Sequence, residues 1–161
     1  MAVDIFIKLD GAPGESKDKG HANEIDVLAW SWGMAQSGSR HLGSGGGSGK
    51  VDVSDLSIIK YVDSATPNLM LFCCNGKHIS RALLTIRKAG GDNQLEYLKI
   101  KMTDCLVTSV SGSGTNGDDR QTESVTLNFA KVEVDYTPQK PDGTADSVKH
   151  MGWSISENVS A

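Results

Sequence analysis

Apolar and polar side chains alternate with a period of two through most of this 161-residue chain. That period marks strands with one face in a core. Val3–Leu9, Val51–Tyr61, Ile79–Lys88 and His150–Ile155 read as short strands. Between Ile25 and Met34 the even positions Leu28, Trp30, Trp32 and Met34 form a bulky apolar face, while the odd positions Ile25, Val27, Ala29 and Ser31 shrink and turn polar. The bulky face is expected in the core. Ala29 and Ser31 then point the other way, towards something that favours small, weakly polar groups.

Two longer runs follow. In Leu95–Val110, Leu98, Ile100 and Met102 alternate with Lys99, Lys101 and Thr103, and no glycine or proline interrupts. In Thr122–Tyr136 the apolar positions are Val125, Leu127 and Phe129, then Val132, Val134 and Tyr136. A slip of one residue moves every side chain to the opposite face, so this change of phase near Ala130–Lys131 predicts a bulge, or a strand that passes from one buried surface to another. Runs of this length exceed the usual ~5–6 residues and predict a long twisted hairpin projecting beyond a small core. One short helix interrupts the strands, with Thr66 as cap, Pro67 in the first turn, apolar residues from Leu69 to Cys74 and Gly76 as terminator. The fold expected is mainly β: a closed β-barrel of two packed antiparallel sheets, one flanking α-helix and long extended loops, in a single domain over residues 1–161. The loops are Gly38–Lys50, rich in glycine, and Ser111–Asp119, which joins the two long strands.

Charge and composition narrow the function. A formal net charge of −4 argues against the electrostatic grip on phosphate that nucleic-acid binding needs. The longest apolar run, Leu69–Cys74, is far short of the ~18 residues of a membrane span. Asp4 and Lys8 break what would be the apolar stretch of a conventional signal peptide. Three cysteines, Cys73, Cys74 and Cys105, cannot all pair internally, and the adjacent pair lacks the spacer of a zinc site, so buried free thiols are expected.

Motifs for catalysis fail on inspection. The loop ending Gly49-Lys50 has Ser44 where a phosphate loop needs its first glycine, and Val51 where it needs serine or threonine. Gly112-Ser-Gly114-Thr-Asn-Gly117 fits the dinucleotide pattern, but Asp118 and Asp119 would repel a pyrophosphate and a strand follows instead of a helix. His21, His41, His78 and His150 fall in loops or at strand ends, where solvated imidazoles are expected. Asp18, Asp26, Asp52 and Asp55 make no acid–base pair by spacing. No enzyme activity, no catalytic residue, no cofactor and no metal are therefore expected.

Seven segments, taken in order, carry a resemblance: Met1–Lys8, Gly14–Lys19, Glu24–Gly33, Thr66–Met70, Leu84–Gly91, Val125–Ala130 and Val134–Tyr136. Together they make the chain resemble the haemolysin co-regulated protein (Hcp) family of type VI secretion. The resemblance implies a homohexameric ring, rings stacked into a hollow tube, and effector proteins carried by it. Further partners implied are the contractile sheath and spike (VgrG-type) proteins, with no nucleic acid and no membrane insertion. It implies that Ala29 and Ser31 line the lumen as effector contacts, and that the Gly38–Lys50 loop, with Ser39, Arg40, His41, Leu42 and Lys50, reaches the neighbouring ring. The subunit would begin in the cytoplasm and be secreted without a conventional signal peptide. Only about half a dozen residues follow the last predicted strand, so no fused toxin domain is expected. A monomeric barrel binding a small ligand or glycan is the alternative reading.

Overall fold

The computed structural model describes residues 2–36, 50–89 and 94–161. Among these residues the elements are β1 (Val3–Leu9), β2 (Ile25–Asp26), β3 (Ala29–Ser31), β4 (Met34–Ala35), β5 (Asp52–Val53), β6 (Leu56–Tyr61), α1 (Thr66–Asn75), β7 (His78–Lys88), β8 (Glu96–Ser113), β9 (Thr122–Tyr136), β10 (Lys149–Ser154) and β11 (Val159–Ser160). The fold is mainly β, with two antiparallel sheets and one helix. The large sheet runs β11-β10-β9-β8-β7-β1-β2, with β6 joined to β9 and β3 joined to β6, while β4 and β5 form a two-stranded sheet. These ladders make an open, branched path rather than a continuous ring. The segment between β2 and β3 spans the gap: Val27 N donates to Ile5 O at 2.9 Å, and Leu28 N donates to Ile59 O at 2.7 Å.

That crossing reverses the predicted side-chain parity over Ile25–Leu28 and leaves it as predicted over Ala29–Trp32. Ile25 and Val27 are buried, Leu28 and Met34 are exposed, and Trp30 and Trp32 are half-buried against the core. The expected single strand is three short ones because its backbone changes partner from β1 to β6 at Val27–Leu28. The expected strand Val51–Tyr61 also divides, at Ser54, whose N and Oγ both bond Gly33 O, at 3.0 and 2.8 Å.

The change of phase in β9 is real and has a similar cause. Val125, Leu127 and Phe129 are buried, and so is Val132 on the opposite parity. Up to Leu127 the outer partner of β9 is β6, and from Lys131 it is β10. The strand therefore leaves one surface and joins another. The bulge in the β8–β9 ladder lies elsewhere, between Val107 and Ser109 of β8.

Helix α1 stands where it was predicted. Gly76, at φ 66°, accepts the left-handed conformation that closes it, and its N–H bonds Phe72 O. Thr66 is not the cap, however. It is the first helical residue, and its hydroxyl donates to Glu123 at 2.7 Å and accepts from Lys60 at 3.4 Å, because Lys60 and Glu123 are fully buried beneath the helix start and need partners. Leu69 and Phe72 pack into a core with Ile7, Ile58, Leu84, Met102 and Leu127. Each such side chain contributes roughly 1.5–3 kcal/mol on burial.

The loop from Asp10 to Glu24 folds back over β1 and β7. His21 is buried, in contrast to the solvated imidazole expected, because its ring stacks on Phe6 with centroids 4.4 Å apart. Its Nδ1 lies 2.9 Å from Glu24 and its Nε2 2.7 Å from Glu96. Arg87 grips the same loop through Asp18 at 2.6 Å and reaches Asp4 at 2.8 Å. Gly14 is needed here for close approach, since a Cβ would lie 2.6 Å from Glu24 O.

Candidate functional site

Ala29 and Ser31 emerge on β3 as predicted in one respect: both are exposed and face away from the core. Trp30 and Trp32 turn inward on either side and fix that orientation. The Trp32 indole N–H donates to Ser54 O at 2.9 Å, and its ring sits 6.0 Å from Phe129. Cross-strand register then extends the exposed face over four strands. Ser31 lies opposite Ser57, Ser57 opposite Thr126, and Thr126 opposite Ser109. In the next row Ala29 lies opposite Ile59, Ile59 opposite Ser124, and Ser124 opposite Ser111. Small hydroxyl side chains thus run across β3, β6, the first half of β9 and the second half of β8, with Ala29 and exposed Ile59 among them.

The β8 bulge belongs to this face. It sets Thr108 and Ser109 against the single residue Thr126, so two consecutive hydroxyls lie 2.7 and 2.6 Å from Thr126 Oγ1. Thr108 also donates to Asp55 at 2.7 Å, and Asn128 Nδ2 donates to the other oxygen of Asp55 at 3.0 Å. Asp55, one of the four carboxylates picked out in the sequence, is therefore a fixed anion at the border of the hydroxyl face. Such a surface offers many neutral hydrogen bonds from side chains with little conformational entropy to lose on contact.

Other sequence candidates stand apart from this face. Lys50 is exposed; Ser39, Arg40, His41 and Leu42 lie outside the described residues. Asp18 belongs to the loop clamp, where the hydrogen bond from Arg87 lowers its carboxyl to about 2. Burial raises Asp26 above the usual carboxylate value. Burial works against the charge of Glu96, yet hydrogen bonds from His21 and Lys99 leave it lowered. His78 and His150 are exposed beside Asp104 and Asp135, at 2.9 and 2.5 Å. Cys105 is buried as expected, and burial pushes its thiol up to about 12. Cys74 is exposed and Cys73 only half-buried, contrary to expectation, because the outer side of α1 is not covered.

The hydroxyls beyond Ser31 escaped the sequence reading, although a signal was present. Ser109, Ser111 and Ser113 alternate with Val110, and Ser124 and Thr126 alternate with Val125 and Leu127. Hydroxyls in step with core residues on paired strands mark one outer face.

A mainly β chain with such a face matches a family model over residues 6–136, described as "Type VI secretion system effector, Hcp". The chain belongs to this Hcp family of type VI secretion. It is 64% identical over 163 residues to "Protein hcp1" of Pseudomonas aeruginosa, with 100% of each sequence covered. Among solved structures it is similar to Hcp1 from Salmonella typhimurium, at 42% identity, TM-score 0.83 and 100% coverage of both chains. It is also similar to a type six secretion system protein at 32% identity and TM-score 0.92, with 99% of this chain and 100% of that chain covered. No helix among the described residues is long and apolar enough to cross a membrane.

Proposed function

We propose that this chain is the inner-tube subunit of a type VI secretion system. Six copies close into a ring, rings stack into a hollow tube, and effector proteins travel inside it. The barrel closes through the Ile25–Ser31 segment, whose amides already bond β1 on one side and β6 on the other. The hydroxyl face lines the lumen, with Ala29 and Ser31 as effector contacts. Loop residues Ser39, Arg40, His41, Leu42 and Lys50 reach the neighbouring ring, and sheath and spike proteins meet the finished tube. The assembled protein leaves the cytoplasm by this route rather than by a conventional signal peptide. It acts as a structural carrier, not as an enzyme.

The observation that carries this reading is the outer face of β3. A sheet face bearing Ser31, Ser57, Thr126 and Ser109 has neither the apolar character of a buried layer nor the charges of an ordinary solvated surface. Small neutral hydroxyls suit a wall that must hold a folded cargo weakly and let it go. Ser31→Gln tests it by placing a longer side chain on that wall. The variant should still form particles of about 103 kDa, six times 17.1 kDa, while a co-expressed cognate effector is no longer retained on them. Rings that keep the effector unchanged would remove the cargo role of Ser31. A particle of 17.1 kDa in both proteins would favour the monomeric ligand-binding barrel instead.

A further inference from the structure

Helix α1 carries no charged residue, and its polar groups beyond Thr66 are only Asn68 and Asn75, on one side. Leu69 and Phe72 fill the core, yet Pro67, Met70, Leu71 and Cys74 form an outward stripe at helical spacing, with Leu71 56% exposed. Neither helix turn carries a charge of the sign that its end favours, since no acidic residue lies in the first turn and no basic residue in the last. An amphipathic surface helix would put polar groups at these outward positions, and an outward apolar stripe is one that something covers.

A second apolar surface lies on the other side of the sheet junction. Where β9 leaves β6 for β10, Val132 and Val134 stand opposite Trp153 and Met151. The β4–β5 hairpin only partly covers them. The result is an open cleft of about 160 Å³, lined by Met34, Val51, Val53, Val132, Met151 and Trp153, all of them apolar. Its mouth is exposed at Met34 and Met151, and exposed Tyr136 continues the shelf. The volume suits one large aliphatic side chain.

We infer that the α1 stripe of one copy seats in this cleft of the next, with Leu71 as the inserted side chain. The inference rests on the ring reading and specifies its subunit contact. The occupant is a second copy because stripe and cleft lie at different places on the same chain, and such a pair makes the head-to-tail contact that generates rings. Charges flanking the two surfaces are opposite in sign, so they attract. Glu15 is fixed beside the helix start, where it accepts the Ser64 N–H at 3.2 Å, and Lys149 lies two residues before Met151 on the same face of β10. Both are exposed, and neither has an ion-pair partner among the described residues.

The test is a charge swap read by native mass. Leu71→Lys should raise the concentration at which rings form by about tenfold or more, since the lysine charge would enter an apolar cleft. The far-UV circular dichroism of the variant should match the parent, because Leu71 is exposed. Met151→Glu should disrupt alone and restore rings when combined with Leu71→Lys. A second measurement does not depend on those variants: in Met151→Cys with Cys73→Ser, a short bismaleimide should link Cys74 of one copy to position 151 of another, and Cys74→Ser should abolish the link. If the parent forms rings but neither the swap nor the link behaves this way, the contact is wrong and the ring reading stands. If the parent forms no rings at any concentration, the ring reading itself fails.

Discussion

Lys60 and Glu123 are both fully buried, facing each other across β6 and β9 beneath the start of α1. Lys60 Nζ also donates to Tyr61 O and to Asp63 Oδ1, each at 2.9 Å, so its charge is well solvated by the protein. Glu123 is less well served, since one of its oxygens has no partner. Removing one member of such a pair leaves the other charge uncompensated, which typically costs roughly 3–5 kcal/mol, whereas replacing both by apolar groups of similar size is often close to neutral. Lys60→Met, which strands the buried Glu123 carboxylate, should therefore destabilise the chain by about that amount in urea unfolding, and Lys60→Met with Glu123→Leu should recover part of the loss, Asp63 keeping the Ala65 N–H as its donor. A double variant no better than the single one would mean that the pair does more than neutralise itself. Asp18 gives a prediction in pH. Its carboxyl is lowered from 3.8 to about 2 by the Arg87 hydrogen bond, so the folded state favours the charged form. The stability it contributes is fully present above 3.8 and is lost as pH falls through about 2. Thermal midpoints of the parent should exceed those of Asp18→Asn at pH 5, and the gap should close as the pH approaches 2. A gap that persists unchanged in acid would show that the contact acts through packing rather than charge.

Elements were legible in the sequence wherever one side-chain pattern served one partner. β1, β7 and α1 fall at or within a residue of their predicted limits, since each keeps a single apolar face or a clear terminator such as Gly76. The alternation failed where the backbone changes partners. Leu28 and Trp30 share a parity, yet Leu28 is exposed and Trp30 half-buried, because the chain crosses from β1 to β6 between Val27 and Leu28. The same kind of transfer in β9 was visible, because there both halves keep strong apolar alternation. Contacts at long range left no pattern at all. His21 meets Glu96 from 75 positions away, and Arg87 meets Asp18 from 69. His21 read as a solvated imidazole, and only the folded-back loop shows that it and Arg87 clamp it. At the candidate site the orientation of Ala29 and Ser31 was readable from the flanking tryptophans. The width of the hydroxyl face was not, since it depends on the register of four strands that come from three distant parts of the chain.

At the scale of the whole molecule, the proposed ring and the proposed stack should answer differently to salt. A formal charge of −4 per chain makes about −24 per hexamer, six times the single-chain value. Closing a ring through α1 and the β9–β10 cleft buries mainly apolar surface, whose free energy depends weakly on ionic strength. Stacking one ring on another brings two objects of the same sign together over a broad area. At 0.01 M salt the screening length is ~30 Å and at 0.15 M ~8 Å, so repulsion between whole rings is felt in the first case and largely screened in the second. Sedimentation velocity from low to moderate salt should therefore show a constant ring species, with stacked species increasing as salt is added. Equal dependence of both steps would mean that the ring contact is itself electrostatic, and the apolar stripe on α1 would then have to face something other than a neighbouring subunit.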